Sequence, residues 1–60
     1  MFNREYIINL TFKDGSMLYT KTAKSVYVNF EKNEFVICYR SGSTDFIDIG
    51  ELAYLYVGVD

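Results

Sequence analysis

Between Tyr6 and Phe12 every second side chain is apolar: Tyr6, Ile8, Leu10 and Phe12 share one side of an extended chain, and Ile7, Asn9 and Thr11 share the other. The same two-residue period returns in Met17–Thr22, in Val26–Phe30 and Phe35–Tyr39, and again from Tyr54 to Val59. Side chains on an α-helix repeat every 3.6 residues, so this pattern commits most of the chain to strands. Asp14-Gly15 falls between the first two runs, where glycine reaches positive φ without a Cβ clash, and marks a hairpin.

A two-residue Asp14-Gly15 loop pairs Phe12 with Met17, Leu10 with Tyr19 and Ile8 with Lys21 on the core face, leaving Thr11, Leu18, Asn9 and Thr20 outside. Thr22–Ser25 then reads as a bend or bulge. In the next hairpin a Lys32-Asn33 loop pairs Phe30 with Phe35, Val28 with Ile37 and Val26 with Tyr39, all apolar. That register also sets Glu31 against Glu34, a like-charge pair, so a longer loop spanning Glu31 to Glu34 is the alternative; either keeps the same faces. Residues 41–45 are a turn by composition, Phe46–Ile49 a short strand, and Ile49, Leu52 and Leu55 recur at the spacing of a helical turn near residues 50–53. The expected fold is all-β: five to six short strands in a small antiparallel sheet or SH3-like barrel, a single domain over residues 1–60.

A 60-residue chain has little interior, so most domains of this size need reinforcement. Disulfides are excluded within one chain by the single cysteine, Cys38, and the common zinc sites by the absence of histidine. Self-association is left. The reverse faces keep Ile7, Leu18, Tyr27, Val36 and Cys38, and the last strand adds Tyr54 and Tyr56; Tyr27, Val36, Tyr54 and Tyr56 are the expected interface. A homo-oligomer follows, most simply a two-fold dimer joined by reverse faces or strand edges.

Without histidine, Ser-His-Asp and Cys-His catalysis are impossible in one chain, and no phosphate-cradling glycine spacing exists. No enzyme and no cofactor are expected. Asp45, Asp48 and Glu51 lack the roughly six oxygens a calcium site needs and read instead as an acidic edge. Charge is divided along the chain: residues 1–40 carry six bases and four acids, net +2, and residues 41–60 carry four acids and no base, net −4. This disfavours nucleic acid as a partner. There is no run of roughly 18 apolar residues to span a membrane and no secretory leader pattern, and the unpaired cysteine suits a reducing cytoplasm.

The leading expectation is a non-enzymatic binding protein that occupies a partner protein's surface, its acidic edge competing for a basic groove. Phage and mobile-element accessory proteins that block a host factor often have this size. A second reading is an oligomer enclosing a small anionic ligand, such as a nucleotide, between tyrosines and Lys21, Lys24 or Arg40. A third is a small barrel that stacks single-stranded nucleic acid on its aromatics.

Overall fold

The computed structural model describes residues 5–59, without the side chain of Lys21. The described residues form five strands: β1 (Tyr6–Phe12), β2 (Met17–Asn29), β3 (Glu34–Tyr39), β4 (Thr44–Asp48) and β5 (Leu52–Val59), with a 3₁₀ turn, η1 (Ile49–Glu51), between the last two. All neighbours are antiparallel in one sheet of order β4-β3-β2-β1-β5. The sheet curls into half a barrel and leaves β4 and β5 as its two edges. This is the all-β layout expected of the alternation, with five strands and the helical turn beginning at Ile49.

The first hairpin departs from the expected register. Gly15 donates to the Phe12 carbonyl at 2.9 Å and Phe12 donates to the Ser16 carbonyl at 2.8 Å, enclosing the three residues Lys13, Asp14 and Gly15. Gly15 lies at φ +95°. This is a type I turn followed by a left-handed glycine bulge, which holds one residue more than a two-residue loop. The extra residue shifts the pairing by one position: Leu10 faces Leu18, Asn9 faces Tyr19 and Thr11 faces Met17. A one-residue shift exchanges the faces of β2. Leu18 therefore packs against the core, whereas Met17 and Tyr19 are 70% and 58% exposed.

The third hairpin repeats the device. Gly42, at φ +97°, donates to the Tyr39 carbonyl and Tyr39 donates to the Ser43 carbonyl. Both turns read aromatic–basic–x–Gly–Ser, Phe12–Ser16 and Tyr39–Ser43.

The second hairpin keeps its faces and slides by two residues. Val28 opposes Phe35, Val26 opposes Ile37, and the ladder closes at Asn29 and Glu34. The loop is four residues long, 30–33, one position earlier than the longer alternative over residues 31–34, with Asn33 at φ 54°. Phe30, expected on the core face, stands in this loop and is exposed. Glu31 and Glu34 are no longer opposed.

Both register irregularities of β2 lie between Thr20 and Ser25, in the segment expected to bend. They turn one long strand into a member of both hairpins, so the curled sheet closes over its own inner face. The core consists of Ile8, Leu10, Ala23, Phe35, Ile37 and Ile47, with Tyr6, Phe12, Leu18, Val26, Tyr39, Ile49 and Leu52 packed against it. No side-chain polar atom buried in the described residues lacks a hydrogen bond.

A Cβ at Gly15 meets nothing within 4 Å, so Gly15→Ala tests backbone strain alone. It should cost about 1–2 kcal/mol, read as a lower urea midpoint at unchanged slope. An unchanged midpoint would show that the turn does not depend on the left-handed glycine.

Candidate acidic depression and exposed aromatic face

η1 is held in place from three directions. The Asp48 carboxylate accepts from the Gly50 amide at 2.9 Å and caps the turn. The Glu51 carbonyl accepts from the Lys13 amide at 2.8 Å, tying η1 to the first hairpin turn, and the Ile49 amide donates to the Asn33 carbonyl at 3.0 Å, tying it to the second. Three loops distant in sequence meet at this end of the sheet.

An open depression of about 350 Å³ lies there, lined by Phe12, Asp14 and Ser16 from the first hairpin and by Phe46, Ile47, Asp48 and Glu51. Three carboxylates and no basic residue line it. Asp14 accepts from both the Ser16 hydroxyl (2.6 Å) and the Ser16 amide (2.9 Å), and these bonds hold its carboxyl below the usual carboxylate range, so it is charged at neutral pH. Glu34 directly opposes Asp48 across the β3–β4 ladder, adding a fourth carboxylate beside the depression. Such like-charge opposition costs stability, and here it raises the negative potential of the edge. Among the described residues, no group of three or more His, Cys, Asp or Glu side chains is placed to hold a metal ion.

The expected acidic set is thereby divided. Asp48 and Glu51 stand together at η1. Asp45 does not join them, because a strand sends residues three apart to opposite faces; it opposes Ile37 and accepts from the Tyr39 hydroxyl at 2.7 Å. Asp14 and Glu34 complete the set instead. In the sequence they read as a turn former and a hairpin charge, and only the meeting of distant loops brings them to Asp48.

The outer face of the sheet carries aromatics in cross-strand rows. Tyr19, Asn9 and Tyr56 form one row over β2, β1 and β5; Met17, Thr11 and Tyr54 form the next. Tyr54 and Tyr56 are 55% and 51% exposed. Tyr27, Val36 and Phe46 form a third row on the other half of the sheet, with Tyr27 and Phe46 exposed. Val36, expected as a contact residue, is 1% exposed instead, because both of its cross-strand neighbours are aromatic and shield it. Tyr19 takes its place among the exposed aromatics, a consequence of the register shift. Cys38 lies on the same face, partly buried between Ser25 and Thr44.

Arg40 lies beside the bent part of β2, where its amide donates to the Thr22 carbonyl at 3.3 Å. Lys24 is exposed on the bent part of β2, and Arg40, at the third hairpin turn, approaches Glu5 at 3.6 Å. The side chain of Lys21 is outside the described set. No helix among the described residues is long and apolar enough to cross a membrane. The chain matches no protein-family model, no curated protein and no solved structure.

Burial and the Asp45 carboxylate together push the Tyr39 hydroxyl up to about 12. Since the unfolded chain ionises near 10, stability from this pair is complete below pH 10 and falls between pH 10 and 12. Thermal scans across that interval should show a smaller loss for Tyr39→Phe than for the wild type. An equal loss would mean that the bond to Asp45 does not persist in solution.

Proposed function

We propose that this chain is a small non-enzymatic protein-binding domain that seats its acidic depression on a basic patch of a partner protein. One observation carries the reading: Asp14 from the first hairpin turn and Asp48 and Glu51 from the turn at η1 converge on one open depression beside the exposed ring of Phe46. An apolar ring flanked by uncompensated carboxylates suits a lysine or arginine, whose methylene stem lies on the ring while its charged end meets the acids. Complementary charge of this kind speeds encounter and selects a partner more than it adds affinity. Inhibition or regulation follows if the basic patch is the partner's own working surface, as in a groove that receives nucleic acid.

A nucleotide or nucleic-acid ligand has less support, because the Arg40 guanidinium such a ligand would need approaches the Glu5 carboxylate at 3.6 Å. The partner should be captured from a lysate as a basic protein released by salt. Combining Glu51→Lys with Asp48→Asn, which keeps an oxygen to cap η1, should weaken its binding about 10- to 100-fold at low salt and leave the circular dichroism spectrum unchanged. Retained binding by this folded variant would reject the depression as the contact.

A further inference from the structure

The two edges of the sheet differ. β4 is five residues long and carries Asp45 and Asp48, so a symmetric pairing of two β4 strands would bring four carboxylates into one short ladder. Short, charged edge strands resist adding another strand. β5 is eight residues long, Leu-Ala-Tyr-Leu-Tyr-Val-Gly-Val, with no charge and no proline. Its acidic neighbours in sequence, Glu51 and Asp60, flank it. Its register shift falls at Ala53, between the Phe12–Leu52 and Thr11–Tyr54 pairs, so from Tyr54 to Val59 the strand runs regularly beside β1. Among the described residues, no strand neighbours its outer side.

Side chains on both faces of β5 are left wet. Tyr54 and Tyr56 are exposed on the outer face, and Leu55, Val57 and Val59 on the inner face, although Leu10 and Ile8, the β1 partners of Leu55 and Val57, are fully buried. Exposure that begins at the edge strand is what a missing neighbour produces. Gly58 keeps the outer face flat: the Tyr56 ring lies along its own strand over Gly58, with the hydroxyl oxygen 2.8 Å from where a Cβ would stand.

The geometry points to β5 as the pairing edge for a second copy of this chain, antiparallel about a two-fold axis, giving one continuous ten-stranded sheet. A two-fold axis normal to the sheet sets outer-face residues opposite outer-face residues. With Tyr56 on the axis, Tyr54 opposes Gly58 and Leu55 opposes Val57; with Leu55 on the axis, Tyr54 opposes Tyr56. In both registers no charge opposes another and Leu55 and Val57 gain apolar partners; with Tyr56 on the axis Val59 gains Ala53 as well. The same operation joins the two Tyr19–Tyr56 rows into one aromatic surface. A ladder of six residues is about 20 Å long, which is below the size of a standard interface and sets the affinity in the micromolar range. The proposal does not depend on the acidic depression, which is lined by the first hairpin turn, β4 and η1 and by no residue of β5.

Sedimentation equilibrium of the purified chain, from about 1 µM to about 500 µM, should show the mass rising from 7.0 kDa toward twice that value. Hydrogen exchange over the same range should slow at alternate amides of Tyr54–Val59 and not in β4. Val57→Lys should raise the dissociation constant at least about tenfold, and Tyr54→Lys, farther from the core, should do the same if Val57→Lys fails to fold. Phe46→Lys and Glu51→Lys should leave it unchanged. A wild-type chain that stays at one mass throughout would overturn the proposal. Dimerisation that survives a lysine in β5, or that is lost with Phe46→Lys, would overturn it as well.

Discussion

The outer face of the first hairpin depends on a single left-handed glycine. Gly15 lets the first hairpin close around three residues instead of two, and the parity of that number decides which half of β2 is buried. With three, Leu18 meets Leu10 under the sheet and Tyr19 stands outside with Met17. With two, the tyrosine would fill the core and the leucine would face solvent. The buried arrangement is the drier one, since a leucine has no hydroxyl to satisfy. Gly42 applies the same geometry to the third hairpin and fixes β4, placing Ile47 inward against Phe35 and Phe46 outward. The core and the exposed aromatic rows thus have a common origin in turn geometry.

Curvature follows from the two irregularities of β2. They wrap the sheet around Ile8, Leu10, Phe35, Ile37 and Ile47, which supplies an interior for a chain too small to stack two separate sheets. The wrap ends before β4 reaches β5. The chain thereby gains a sheet with chemically unlike ends: a short acidic edge backed by the loops around η1, and a longer uncharged one. Charge division along the sequence becomes charge division in space, because the acidic last third supplies β4 and η1 while β5 itself contains no ionisable residue other than tyrosine.

Most of the fold was legible from the alternation, because period-two patterning specifies strands directly. The inner faces of β1 and β3 and the bend in β2 were all read in this way. What escaped was the register at the first and second turns. Asp14-Gly15 signals a hairpin but not its loop length, since both the two- and the three-residue forms use a glycine with positive φ. Two-residue loops therefore place Tyr19 in the core and pair Phe30 in a ladder that it does not join. Val36 was misjudged for a different reason: alternation gives a residue's face, whereas burial on an outer face depends on the size of its cross-strand neighbours, here Tyr27 and Phe46. The acidic depression was half visible. Asp48 and Glu51 are near each other in the chain, but nothing local brings Asp14 to them, and the even spacing that suggested Asp45 ignores the two-residue period of the strand it sits on.

Cross-strand backbone nuclear Overhauser effects within the first hairpin test the parity of that turn directly. The account predicts contacts between Leu10 and Leu18 and between Asn9 and Tyr19. Contacts pairing Leu10 with Tyr19 and Phe12 with Met17 would place Tyr19 inside and contradict it.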